Sequence, residues 1–370
     1  MKITCSKTEL CNALRIVSKA IASKPQSPIL SGIFMKTTEN QLELQATNYE
    51  LSFISRLPAT IEEPGQMTLA GHYILEVISK MPGEQVSLSL PVGEKMVTIQ
   101  SDKATFKLLS MEAAEFPQIQ PISGNIHFQL KDALLRKLIQ KTVFACSNED
   151  SRPVFTGCSL SIKEHQVMMV ATNTHRLSVM QTQIDESQGN INIIIPAKIL
   201  SELAHTLNSD VPQPITVTCS PNQISFQTPD TYMSSRLIEG QFPSFDNIIP
   251  ASFATHVKVK RELLAQSLER VSLISRVSNY NVVKLYFTDG NIHLSAHDPE
   301  VGNADDDIPA ELNGPDLHIA FNVDYLKDVL RSMDSEVIRI GFNREISPAV
   351  LQEEDTDEFL YIVTPVRTTF

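Results

Sequence analysis

One strand pattern recurs in this sequence at an interval of 125 residues, and that interval limits the fold more than any other feature. Val167, Met169 and Ala171 alternate with other residues, as a strand with one buried face requires. The positions 125 residues earlier are Leu42, Leu44 and Ala46, and those 125 later are Ile292, Leu294 and Ala296. The three strands share pattern and register, and a one-residue slip would turn the wrong face inward. Each leads into polar, turn-forming residues: Ala46-Thr47-Asn48, Ala171-Thr172-Asn173 and Ala296-His297-Asp298. Upstream, Pro28 and Gly32 match Pro153 and Gly157. The third copy has Ser278 and Val282 there and is the most divergent.

Helices keep the same interval. The apolar spacing predicts first helices over residues 6–22, 131–145 and 260–275, the earliest opened by a capping box of Ser6 and Glu9. It predicts second helices over 73–81, 198–207 and 323–333, aligned as Ile74, Leu200 and Leu326. Phe116-Pro117 and Phe242-Pro243 lie 126 residues apart and mark linkers, because a residue before proline resists helix. A period this long is far above that of a solenoid, so each copy reads as a domain with its own core. The expected architecture is α+β, three repeated domains at 1–120, 121–248 and 249–370, each with two helices on antiparallel sheets.

At 370 residues the chain suits two or three domains. It has no apolar run long enough for a membrane span, and no apolar segment of a signal peptide follows Met1-Lys2-Ile3, so it is expected to be soluble and intracellular. Cys5, Cys11, Cys146, Cys158 and Cys219 are odd in number and lack C-x-x-C spacing, and read as small core hydrophobes. A net charge of −12 argues against nucleic acid on its face, but the charge is segregated. Residues 7–24 carry Lys7, Arg15, Lys19 and Lys24 against Glu9. Residues 130–147 carry Lys131, Arg136, Lys137 and Lys141 against Asp132. Residues 258–276 carry Lys258, Lys260, Arg261, Arg270 and Arg276 against Glu262 and Glu269. Each segment is +3, which leaves −21 on the rest of the chain. A single basic helix face is ordinarily a solvated one. The same sign in three equivalent positions reads as a surface for polyanions.

The sequence Arg152-Pro153 with Gly157, Ala171-Thr172-Asn173-Thr174-His175-Arg176-Leu177, the two Phe-Pro linkers, Phe321-Asn322-Val323-Asp324-Tyr325-Leu326 and the ending Tyr361-Ile362-Val363-Thr364-Pro365-Val366-Arg367 resembles the bacterial DNA polymerase III beta subunits, the DNA sliding clamps, over essentially the whole chain. The resemblance implies a head-to-tail homodimer forming a six-domain ring that encircles duplex DNA without sequence specificity. It implies a non-catalytic processivity subunit that tethers the replicative polymerase. Partners would be the polymerase catalytic subunit, the clamp loader, translesion polymerases, mismatch repair proteins and ligase, all docking through short linear motifs. No cofactor, metal or membrane is implied, and the expected location is cytoplasmic, on the nucleoid during replication. A grip made of phosphate contacts would be loose and salt-sensitive, and enclosure would provide residence.

Residue by residue, the resemblance assigns DNA contact to Lys24, Lys80, Arg152 and Lys198. It assigns a peptide groove to Phe155, Thr172, Thr174, His175, Arg176 and Leu177 from the middle copy, Pro243 and Ile248 from the linker, and Ile362, Thr364, Pro365, Val366 and Arg367 from the chain end. A short peptide with one or two large apolar anchors requires such an apolar pocket with a polar rim. The dimer interface would set Phe106 and Leu108 against Leu273 and Ile274. The sequence departs from the family pattern at Thr174, where glycine is usual, at His72 and Asp246-Asn247, where some relatives are basic, and in a tail reaching Phe370.

Two other classes remain. His175-Arg176 could be taken for a catalytic pair, and His297-Asp298 with Glu300 and Asp305-Asp306-Asp307 for a metal site, but no nucleophile elbow, P-loop, HExxH or G-x-G-x-x-G accompanies them. The acidic triplet and Glu353-Glu354-Asp355 read as solvated loops. A repeat-built protein-interaction scaffold without DNA binding also fits the acidic total.

Overall fold

The computed structural model describes residues 1–370 except 23, 125, 185–189, 208–212, 277–280 and 369–370. Ser278 and Phe370, singled out above, lie outside the described residues, as does the side chain of Asp246. Six α-helices occur among the described residues: α1 (Lys7–Ser18), α2 (Gly71–Lys80), α3 (Asp132–Thr142), α4 (Ala197–Thr206), α5 (Arg261–Ser275) and α6 (Val323–Ser332). They fall where the periodicity predicts, α1, α3, α5 and α6 with shorter ends, α2 beginning two residues earlier and α4 shifted by one. Ser6 caps α1 by accepting a hydrogen bond from the Glu9 N–H at 3.4 Å, and α1 buries Leu10, Leu14 and Val17. It stops at Ser18 rather than residue 22 because the Lys19 N–H already turns back to the Ile16 and Val17 carbonyls. Residues 143–145 continue α3 only as a tighter 3-10 turn.

The repeat is real at the level of hydrogen bonds. Strands Gln41–Thr47, Gln166–Thr172 and Asn291–Asp298 each sit between two antiparallel neighbours, and their aligned triplets are buried. In the following turns Asn48 Oδ1 accepts from the Glu50 and Leu51 N–H groups, Asn173 Oδ1 from His175 and Arg176, and Asp298 Oδ1 from Glu300 and Val301. Thr47 and Thr172 add a hydroxyl bond across their turns to the Leu51 and Arg176 carbonyls, at 2.9 and 2.6 Å. His297 stands at that place in the third copy, consistent with its divergence.

All strand pairs among the described residues are antiparallel, in sheets of five, eight, nine and four strands. Two of these sheets run through more than one copy. Strand Thr231–Arg236 of the middle copy pairs with Leu51–Pro58 of the first, and Phe359–Val363 of the third pairs with Arg176–Gln183 of the middle one. The compact units therefore do not coincide with the copies. One comprises Met1–Leu135 with Lys198–Leu237, and the other Arg136–Ala197 with Ile238–Phe370. In the first, α1 packs on α2 and on strands Gln41–Thr47 and Leu51–Pro58. In the second, α5 packs on α6 and on the four-stranded sheet.

The acidic segments are only in part the solvated loops expected: Asp305, Asp307 and Asp355 are exposed, and Glu354-Asp355 form a bend outside any strand. Asp305, Asp306 and Asp307 lie in strand Gly302–Pro309, and Glu353 ends strand Ala349–Glu353 with 2% of its surface exposed. A carboxylate this buried needs a cation, and Lys141, also 2% exposed, supplies it at 3.0 Å. All five cysteines are buried and free, as read from their spacing.

Candidate functional site

The second unit carries an apolar cavity of about 200 Å³ built around the turn after strand Gln166–Thr172. Its floor rests on buried Val170, Leu177, Val179, Val350 and Ile362, with Phe242, Phe245 and Ile249 packed against them. Phe155, Thr172, Thr174, His175, Arg176, Leu177, Pro243, Ile248, Ile362 and Thr364 line it, ten of the residues assigned from the sequence. Phe242, Ser244 and Phe245 line it as well and were not assigned to it, although Phe242 is itself the phenylalanine of the Phe-Pro pair that located the linker. Phe155 meets Phe242 edge to face at 6.4 Å between ring centroids. Gly240, at φ +132°, turns the chain into this linker, and a Cβ there would stand 2.7 Å from Val154 Cγ1.

Pro365, Val366 and Arg367 do not line the cavity. Thr364 is latched to the His175 carbonyl through both its N–H, at 2.9 Å, and its hydroxyl, at 3.0 Å. The chain then leaves the cavity, and the Val366 N–H donates to the Ala320 carbonyl at 2.8 Å.

Arg176 is the hub of the wall rather than a free cation. Its Nη1 donates to Asp328 Oδ2 at 2.6 Å and its Nη2 donates to the Phe144 carbonyl. The guanidinium lies over the Tyr325 ring, 4.6 Å from the centroid, and the Tyr361 hydroxyl donates to the Tyr325 carbonyl. Burial pushes the Tyr361 phenol well above its usual range, so it remains a neutral donor. The His175 ring is exposed at the rim, and none of the described residues gives it a hydrogen bond or a carboxylate. This arrangement suits binding of an apolar group. No group of three or more metal-ligating side chains occurs among the described residues.

Thr174 adopts φ +76°, and Tyr49, its counterpart 125 residues earlier, adopts φ +70°. The turn thus imposes the left-handed region that glycine favours, and threonine is held there by its neighbours' hydrogen bonds, with Thr172 Oγ1 accepting from its N–H at 3.1 Å. Thr174→Gly should raise stability by about 0.5–1 kcal/mol, the relief of strain exceeding the added freedom of the unfolded chain. A lowered denaturation midpoint would contradict this.

The basic first helices do not present the face that their charge count suggested. Lys19 is paired with Glu202, Lys137 with Glu358, Lys141 with Glu353 and Asp334, Lys258 with Glu354, Lys260 with Glu336, and Arg270 with Asp306. Counting charge along a helix cannot register carboxylates delivered by other strands, helices and loops. Lys24, Lys80 and Lys198 in the first unit and Arg152 in the second, the four residues assigned by motif, are exposed. Among the described residues no carboxylate lies within ion-pair distance of them.

Two of these carboxylates, Glu358 and Asp306, titrate low, as does Glu43, which pairs with Lys36 and Arg56. Hydrogen bonds from Lys137 and Thr182 hold Glu358 below its usual range. At Glu43 and Asp306 burial alone would raise the pKa, but bonds from Lys36 and Gln45, and from Ser267 and Arg270, outweigh it. A group lowered by folding contributes its stability above the unfolded value, about 4, and loses it as pH falls through the folded value. The melting temperature should therefore hold level from about pH 7 to about pH 5 and drop steadily below about pH 4. A rise on acidification would contradict these pairings.

Two sheet edges of opposite chemistry remain open. Strand Ala104–Leu109 ends the five-stranded sheet and exposes Phe106 at 44% and Leu109 at 65%, with Lys107 between them and Leu108 half-buried. Strand Gly302–Pro309, with its three aspartates, ends the four-stranded sheet, and on α5 Leu273 is 66% exposed beside half-buried Ile274. Their counterparts elsewhere in the chain are paired: Thr231–Arg236 with Leu51–Pro58, and Phe359–Val363 with Arg176–Gln183.

Family models of the DNA polymerase III beta subunit match the N-terminal domain at residues 1–120, the central domain at 129–244 and the C-terminal domain at 246–367. The chain is 32% identical over 373 residues to the beta sliding clamp of Streptococcus pneumoniae (98% of each chain), and 30% identical over 378 residues to that of Staphylococcus epidermidis (100% of each). Among solved structures it is similar to the DNA polymerase III beta subunit of Thermotoga maritima (TM-score 0.90, 29% identity, 100% of each chain). It is likewise similar to the Pseudomonas aeruginosa sliding clamp bound to griselimycin (TM-score 0.90, 26% identity, 100% of each chain).

Proposed function

Because the chain belongs to the family of DNA polymerase III beta subunits, the sliding clamps, we propose that two copies close head to tail into a ring around duplex DNA. The open edges carry this reading. Twice within the chain an edge of one copy is sealed by the next, and one edge of each kind is left over, Ala104–Leu109 and Gly302–Pro309. Exposed edges of this kind invite pairing with another chain. Lys107 on one and the aspartates on the other favour the union, and Phe106, Leu108, Leu273 and Ile274 supply apolar area beside it. Unlike patches that meet by rotation give a closed ring when the angle suits.

Lys24, Lys80, Arg152 and Lys198 would meet backbone phosphates, whose contacts carry no sequence information and allow translation. The cavity around Leu177 and Ile362 would dock apolar anchors of the replicative polymerase, the clamp loader and repair proteins, and we assign griselimycin to the same seat here. The protein then acts as a non-catalytic processivity subunit in the cytoplasm, on the nucleoid during replication. No helix among the described residues is long and apolar enough to cross a membrane.

The test is retention on nicked circular DNA after loading with a clamp loader and ATP, followed by linearisation. A ring is retained on the circle and released from the linear form. No retention at all would favour an interaction scaffold without DNA binding, and retention that survives linearisation would show binding by affinity rather than enclosure and would overturn the ring. Lys24→Glu with Lys198→Glu should lower loading several-fold and flatten its dependence on salt while the protein still sediments as a dimer.

A further inference from the structure

We propose that Cys146 and Cys158 form a reversible disulfide under oxidation by a peroxide, and that this bond weakens ligand binding at the neighbouring groove. The two sulfurs lie 3.6 Å apart, in direct contact with nothing between them, and a disulfide needs them about 1.5 Å nearer. Cys158 belongs to strand Gly157–Lys163, between two paired strands, and is fully buried. Cys146 follows the 3-10 turn at residues 143–145, and the approach therefore falls to the turn rather than to the strand.

Cys146 also has a route to solvent. It lines a polar cleft of about 380 Å³ with Ser147, Glu149, Arg152 and Asn173, next to the groove. A small oxidant reaches it there, whereas Cys158 is fully buried and does not line the cleft. The hydrogen bond with Cys158 and burial push the Cys146 thiol up, with Arg176 opposing, so the reaction is slow and needs sustained oxidant. In chemical terms the Cys146 thiolate attacks one oxygen of hydrogen peroxide, the O–O bond breaks, and a sulfenic acid forms with release of water. Cys158 sulfur then attacks that sulfur and expels a second water. Two thiols are oxidised to one disulfide and one peroxide is reduced to two waters.

The groove is coupled to this turn by two hydrogen bonds. The Phe144 carbonyl, two residues before Cys146, accepts from Arg176 Nη2, and the Ser147 N–H, one residue after it, donates to the Phe155 carbonyl at 2.8 Å. Arg176 and Phe155 both line the groove. Drawing Cys146 toward the strand shifts both supports together. This consequence, unlike the disulfide itself, rests on the reading of the cavity as a ligand groove.

The full-length reduced protein is treated with hydrogen peroxide and measured by intact mass, peptide mapping and griselimycin titration. The expected product is lighter by about 2 Da, maps to a Cys146–Cys158 crosslink, reverts with dithiothreitol, and binds griselimycin at least fivefold more weakly. Cys146→Ser and Cys158→Ala should each abolish the crosslink, and peroxide should leave their griselimycin affinity unchanged. Mass gains of one or more oxygens without the crosslink would overturn the disulfide. A crosslinked protein with undiminished affinity would overturn its effect on the groove. Should the reduced protein fail to bind griselimycin, the groove reading falls, and the mass measurement still decides the thiol pair.

Discussion

Lys141→Ala should destabilise the second unit by about 3–5 kcal/mol, the largest effect of any single substitution considered, because it strands a buried carboxylate. Lys141 and Glu353 are 2% and 3% exposed at their side chains, with 3.0 Å between charged atoms. Glu353 Oε1 also accepts from the Asp334 and Ser335 N–H groups, and Lys141 Nζ reaches Asp334 at 2.9 Å and lies over the Phe359 ring. The attraction between two such charges only offsets what it costs to bury them, so the pair itself adds little. Removing one member leaves the full desolvation penalty of the other. A double variant, Lys141→Met with Glu353→Gln, discriminates between these two contributions. The neutral amide keeps an oxygen for the Asp334 and Ser335 N–H groups, and most of the lost stability should return. The chain has no tryptophan and 7 tyrosines, so unfolding in urea is best followed by tyrosine fluorescence. A loss below about 1 kcal/mol in the single variant, or no recovery in the double one, would refute this account.

Arg176→Ala should lower griselimycin affinity by about a hundredfold, equivalent to about 2.7 kcal/mol. The guanidinium joins Asp328 on α6, the Phe144 carbonyl and the Tyr325 ring, and its own main chain forms the turn that bears Thr174 and His175. Its loss removes one wall of the cavity and frees the turn, so a ligand must then order what the protein had already ordered. Arg176→Lys keeps the charge but not the planar fork that serves two acceptors at once, and it should recover only part of the affinity. A wild-type titration curve for the alanine variant would show that Arg176 does not shape the groove. The same substitution should leave loading on DNA far less affected than the Lys24 and Lys198 reversals, since Arg176 is 9% exposed at its side chain and already paired.

Much of the site was legible because the repeat gives three readings of one design. The turn of Ala171 to Arg176 could be placed from its copies before any geometry was known, and the structure returned the same side-chain hydrogen bonds after Asn48, Asn173 and Asp298. The alternation of Val167, Met169 and Ala171 placed the strand but not the cavity floor, which takes Val170 from the opposite face, because period-2 burial is a local property and both faces of this strand are covered. Beyond Thr364 the tail leaves the cavity. Pro365 to Arg367 are adjacent in sequence to groove residues, yet the bond from Val366 to Ala320 draws the chain aside, and no local pattern encodes that partner.

The amino-acid order by itself determined the threefold design, the six helices, the alternating strands and the residues of the central turn, because each depends on neighbours a few positions away. Only the tertiary structure decided which charges remain free. Glu353 and Asp306 come from strands, and Glu354 and Glu358 from the loop between two strands, up to hundreds of residues distant, and they neutralise lysines and arginines that a linear count leaves bare. It also decided that the middle copy divides between two compact units, because sheets are completed by strands brought together through space rather than by strands adjacent in the chain.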